Sequence, residues 1–125
     1  MVADGSDKRK YDRIYFSLAD GVNGVFVFPD LGQGSFCAAI LNLSLGGIQF
    51  SIKRDQLPSS LAEGSCLILT RLTGVDGLLC DAAIPLKIRW MLDHPELSNI
   101  SFGCMFEEMS ADSYQQLSSL MDKKQ

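Results

Sequence analysis

The sequence predicts a mainly β fold, about six strands closed into a small barrel, followed by one C-terminal helix. Three observations predict it. Short runs of alternating apolar and polar residues recur along the chain, separated by Gly-, Pro- and Asp-containing turns. Two of these runs flank Gly46-Gly47: Leu41, Leu43 and Leu45 alternate with Asn42 and Ser44, then Ile48, Phe50 and Ile52 alternate with Gln49, Ser51 and Lys53. That arrangement is a β-hairpin, with glycines that tolerate the positive φ of a tight turn. After Ser110 the period changes to helical, with Tyr114, Leu117, Leu120 and Met121 on one face.

The elements follow in order. Residues 1–7 read as a polar, flexible leader and 8–13 as a charged arm. A single domain occupies 8–125, its barrel spanning 14–108 and its helix 110–123. Residues 14–28 are mostly apolar and β-favouring, interrupted at Asp20-Gly21 and Asn23-Gly24. They form either one long, bent strand or a tight hairpin at Asn23-Gly24. The bent strand is favoured, because the loop over residues 29–35 is much the stronger break. Residues 54–65 are a polar connection. Residues 66–72 are a strand, and 73–77 a turn. Residues 78–92 read as one long strand, with Leu86, Ile88, Trp90 and Leu92 on the face opposite Lys87 and Arg89. Pro85 marks a bulge or an edge there. Ile100, Phe102, Cys104 and Phe106 alternate again. Ser110 caps the helix and Asp112 suits its first turn.

Bulk properties narrow the function. The chain has 125 residues and a net charge of -4, and 46% of it is hydrophobic. No apolar run reaches the roughly 18 residues of a membrane span. The polar start does not resemble a signal peptide, so a cytoplasmic protein is expected. Cys37, Cys66, Cys80 and Cys104 sit in strand-like contexts without a C-x-x-C pair and read as reduced core residues. With His94 the one histidine, no metal site is expected. Charge is unevenly placed: Lys8, Arg9, Lys10 and Arg13 against Asp4, Asp7 and Asp12 make the first thirteen residues +1, and the remainder is -5. DNA or RNA requires an extended basic face, which the acidic body does not offer. A small dianion needs only a local cluster.

Two motifs carry chemistry. Arg9-Lys10-Tyr11-Asp12-Arg13 has the form R-x-x-x-R, and Asn42-Leu43-Ser44-Leu45-Gly46-Gly47 the form N-x-S-x-x-G. Guanidiniums present planar forks that match phosphate or the O6/N7 edge of guanine. An amide and a hydroxyl two residues apart on one strand face can meet a hydrogen-bonding edge. Alone, the first motif reads as a solvated arm and the second as a half-exposed strand before a turn. Trp90 reads as a core residue, Lys87 and Arg89 as a solvated face, and His94 as a loop residue. Ser44 has no histidine base nearby, and Glu107 and Glu108 face opposite ways along a strand, so no enzyme is expected.

In combination the two motifs resemble the PilZ domain, a bacterial receptor domain for cyclic di-GMP. They stand in the right order, about thirty residues apart, the second at a hairpin. Gly64 before a strand, Lys87-Ile88-Arg89-Trp90, and the G-x-x-F of Gly103-Cys104-Met105-Phe106 extend the resemblance over residues 8–122. It implies a six-stranded antiparallel barrel binding cyclic di-GMP through Arg9, Arg13, Asn42, Ser44 and Gly47. Lys8, Lys10 and Gly46 would be helpers. No cofactor and no catalytic residue are implied. The chain would then act on an unidentified protein partner, its arginine arm mobile alone and ordered over the ligand. The alternatives are a nucleotide-free adaptor of the same fold and, from another class, a small-barrel binder of single-stranded nucleic acid.

Overall fold

A computed structural model describes residues 13–30, 34–74 and 83–124. Arg9, Lys8, Lys10, Cys80 and the start of the strand expected over 78–92 lie outside them. Among the described residues seven strands and one α-helix form: β1 (Ile14–Tyr15), β2 (Asn23–Val27), β3 (Ser35–Leu43), β4 (Gly47–Lys53), β5 (Cys66–Thr73), β6 (Ile84–Leu92), β7 (Asn99–Phe106) and α1 (Ala111–Lys124). The ladder runs β3-β2-β5-β6-β7-β4 and returns to β3 through the β3–β4 hairpin. All of its pairings are antiparallel, so the wall is a closed six-stranded barrel, with β1 a short addition on β3.

The run 14–28 is divided rather than continuous. β1 and β2 both pair with β3, Ile14 opposite Leu43 and Asn23 opposite Ala39, so they lie along one line. Between them the chain leaves the wall in a 3-10 turn over Leu18–Asp20. The Asp20 carboxylate accepts the Ser17 N–H at 2.7 Å, and Gly21 has φ 68°. This is turn chemistry that a strand does not support. Asn23-Gly24 is no hairpin: both residues lie inside β2.

Inside the barrel the large side chains interlock. The Phe26 and Phe50 ring centroids are 4.6 Å apart, and Phe50 and Phe102 5.1 Å. Ile40, Leu67, Leu69, Leu72, Ile84 and Leu86 complete the buried centre. Burial of this kind is the main term holding a small domain together.

Three pleats break phase through bulges, because two residues on one strand oppose one on its partner. In β3 a shift between Ile40 and Asn42 sends Ile40 and Leu43 inward and leaves Leu41 half-buried, against the expected alternation of Leu41 with Leu43. In β6 a shift between Ile88 and Trp90 turns Trp90 outward, 42% exposed, and Met91 packs against the core instead. Trp90 is therefore not the core residue its spacing suggested. The third lies in the β2–β5 pairing, between Val25 and Phe26. Pro85 lies in β6 opposite Ile68 of β5, and its carbonyl accepts the Glu107 N–H at 2.8 Å just past the end of β7, so its missing N–H costs only the return half of that terminal pair.

The helix starts where expected: the Ser110 Oγ accepts the Ser113 N–H at 3.1 Å. Leu117, Leu120 and Met121 join the barrel core, while Tyr114 is exposed instead of sharing their face. At the end of β4 away from the hairpin, Arg54 clips the β6–β7 connection. It donates to the carbonyls of His94 (2.9 Å) and Leu97 (3.1 and 3.2 Å) and pairs with the Asp93 carboxylate at 2.8 Å.

Candidate functional site

The β3–β4 hairpin closes on Ser44. Its backbone N–H donates to the Gly47 carbonyl at 2.9 Å. Its hydroxyl accepts the N–H groups of Gly46 and Gly47, each at 3.1 Å, and donates to the Gly47 carbonyl at 3.4 Å. Ser44 is 2% exposed, so this hydroxyl organises the turn from within. Neither Gly46 nor Gly47 has the positive φ expected of them; among the described residues that conformation occurs at Gly21, Gly34, Gly64 and Gly74. Gly47 is needed for another reason. A Cβ there would overlap the Cys104 carbonyl oxygen on β7, with which β4 is paired.

Two residues before Ser44, the strand bulge carries Asn42 into the wall at 4% exposure, not onto a half-exposed outer face as its spacing suggested. Both ends of its amide are engaged. The Arg13 Nη1 donates to Asn42 Oδ1 at 2.6 Å, across 29 residues of sequence. Asn42 Nδ2 donates to Gln49 Oε1 at 2.6 Å, from the residue directly opposite on β4. The two sequence motifs thus meet through one guanidinium and one amide. A cleft of about 770 Å³ opens beside them, lined from β3 and β4 by Asn42, Ser44, Gly46 and Gln49 with Arg13, and from β6, β7 and α1 by Arg89, Trp90, Met105 and Tyr114.

The family model of the PilZ domain matches residues 7–123. The chain belongs to the PilZ domain family. Solved structures agree in fold. The PilZ domain of YcgR from Escherichia coli, described with c-di-GMP, has a TM-score of 0.68 at 16% identity, covering 94% of each chain. The K. pneumonia MrkH–c-di-GMP complex has a TM-score of 0.70 at 14% identity, over 94% of this chain and 52% of that one. The Bacillus subtilis inhibitor of motility, MotI/DgrA, has a TM-score of 0.66 at 19% identity, over 94% and 51%. The chain thus spans about half the length of the last two. No curated protein matches it.

Of the described motif residues of this PilZ domain, Arg13, Asn42, Ser44 and Gly46 border the cleft and Gly47 does not, and the lining from β6, β7 and α1 belongs to neither motif. Trp90 lies across Gly103, where any Cβ would overlap its indole. Trp90 is 42% exposed and borders the cleft. Arg89 and Tyr114 also border it, and Arg89 has no ion-pair partner among the described residues. Counting across a two-residue Gly46-Gly47 turn would set Gln49 opposite Ser44; the turn instead spans residues 44–47, which sets Gln49 opposite Asn42. Trp90 could not be placed by spacing either, because only the bulge turns it outward. Among the described residues no three His, Cys, Asp or Glu side chains gather as a metal cluster, and no helix is long and apolar enough to cross a membrane.

The cysteines of this PilZ domain differ from expectation. Cys37 and Cys66 are exposed, at strand positions facing outward, while Cys104 is buried beneath the cleft. Burial pushes the Cys104 thiol up from 9.0 to about 12. The reactive thiolate is thus suppressed there. Iodoacetamide at pH 8 should modify Cys37 and Cys66 and spare Cys104 in the native protein, read by peptide mass spectrometry. Equal labelling of Cys104 would mean that β7 opens readily. The same shift sets a sign for stability. Above pH 9 the unfolded state releases a proton that the folded state retains, so this group lowers stability as pH rises from 9 toward 12.

Proposed function

We propose that this PilZ domain is a cyclic di-GMP receptor rather than an enzyme. The observation that carries the reading is the Arg13–Asn42 bond, which joins the two ligand motifs at the rim of the cleft. Arg9 and Arg13 clamp phosphate and the guanine edge with forked donors. Asn42, Ser44 and Gly47 hold the guanine edge and phosphate-sugar, with Gly46 beside them. Lys8 and Lys10 add undirected charge. The exposed Trp90 ring at the cleft is placed to stack on a base, a contact of the kind aromatic residues make with purines. The c-di-GMP described with the PilZ domain of YcgR and with MrkH supports the same ligand class.

The arm, residues 8–13, folds over the ligand and makes a new surface for a protein partner in the cytoplasm. Arg13, already bonded to Asn42, is the fixed point from which it closes. Cyclic di-GMP should bind at micromolar or better affinity in calorimetry, with little binding of GMP or a short oligonucleotide. Hydrogen exchange over residues 8–13 and 42–47 should slow together on binding. No heat or displacement up to about 1 mM ligand, equivalent to roughly -4 kcal/mol, would overturn the receptor reading and favour an adaptor. Binding with unchanged exchange in the arm would remove arm ordering from the mechanism.

A further inference from the structure

An asparagine amide accepts at one end and donates at the other, so its direction matters wherever water cannot satisfy both. Asn42 is such a case, at 4% exposure. Turned as it is, Oδ1 receives Arg13 and Nδ2 is received by Gln49, both at 2.6 Å. Turned over, it would aim a donor at a guanidinium that has only donors, and the Arg13 bond would be lost. What holds the amide in the useful direction is an acceptor on its far side. Gln49 supplies it from the facing strand, fixed by the hairpin register.

We propose that Gln49 is a positioning residue for ligand binding: it sets the direction of the Asn42 amide and so holds the Arg13 guanidinium at the cleft. The proposal rests on the cyclic di-GMP reading for its effect on affinity. It concerns a residue outside both motifs, acting through Asn42 and not on the ligand. Chains of polar groups of this kind strengthen one another when every member is satisfied and fail together when one is not. An aspartate at position 42 would need no such help, because both of its oxygens accept.

Calorimetry with cyclic di-GMP on four proteins tests this: wild type, Gln49→Leu, Asn42→Asp, and the double variant. Gln49→Leu should weaken binding about tenfold with asparagine at 42, a change of about 1.4 kcal/mol. It should change binding less than about twofold with aspartate there, since no direction remains to be set. Equal weakening in both backgrounds would overturn the proposal, because Gln49 would then meet the ligand itself. No weakening with asparagine at 42 would also overturn it, because Arg13 alone would then orient the amide. A second measurement needs no ligand. Exchange of the Asn42 side-chain amide protons, followed by NMR, should be slow in wild type and in Gln49→Glu, which keeps an acceptor, and fast in Gln49→Leu. Slow exchange in Gln49→Leu would overturn the proposal. If wild type binds no cyclic di-GMP, the receptor reading fails while this exchange comparison still decides whether Gln49 holds the amide.

Discussion

Arg13→Ala should weaken cyclic di-GMP binding by about 2–4 kcal/mol, roughly 30- to 800-fold, because a charge-assisted contact and its neighbouring bonds are lost together. The side chain is half-buried and bonded to Asn42 before any ligand contact is considered. Removing it therefore also leaves a buried Asn42 oxygen without its donor. That should cost about 1 kcal/mol of stability, seen as a few degrees in thermal unfolding. Arg13→Lys should fall between wild type and alanine, keeping the charge and losing the planar fork. The same loss of affinity is expected for Arg9→Ala, on the strength of its motif. Wild-type affinity in Arg13→Ala would remove that residue from the site. A loss of stability well beyond 1 kcal/mol would make Arg13 chiefly structural.

Gly47→Ala should destabilise the fold itself, by about 3–5 kcal/mol in urea denaturation, a size reserved for changes that force backbone apart. The added methyl meets the Cys104 carbonyl oxygen, which belongs to the paired backbone of β7 and has no rotamer to escape into. β4 pairs with β7 along its whole length from Gly47 to Lys53, so relief at one end disturbs a seven-residue seam. The turn suffers as well, since the Gly47 N–H and carbonyl are both engaged with Ser44. Gly21→Ala is the useful contrast. Nothing crowds a Cβ there, and the positive φ of 68° alone should cost about 1 kcal/mol. A Gly47→Ala loss no larger than that of Gly21→Ala would show that the β4–β7 seam has room to spare.

The hairpin, the barrel and the capped helix were legible because each depends on local pattern: period two around Gly46-Gly47, turn residues between short strands, period 3.6 after Ser110. Asn42, Ser44 and Gly46, which border the cleft, stood out through the same hairpin pattern. Trp90 was misread because alternation assumes an unbroken pleat, and one extra residue between Ile88 and Trp90 reverses every face beyond it. Asn42 was expected on an outer face and is buried, again through a bulge, this time next to Ile40. Gly47 was expected to supply a positive φ and has none; what a side chain there would meet is β7, a strand more than fifty residues away. Cys37 and Cys66 show the limit of reading residue type as location, since both point outward from strands whose other faces are buried.

Every strand of the six-membered wall has a hydrogen-bonded neighbour on both sides. Another protein cannot join it as an added strand, since strand addition needs a row of unpaired backbone groups. Whatever meets this wall must recognise side chains standing on its outer surface, and its specificity will be written in those side chains and not in main-chain geometry. The same closure protects the six strands of the wall against edge-to-edge self-association. A domain built this way can therefore carry an open, aromatic cleft on its exterior without offering its sheet as a template for aggregation.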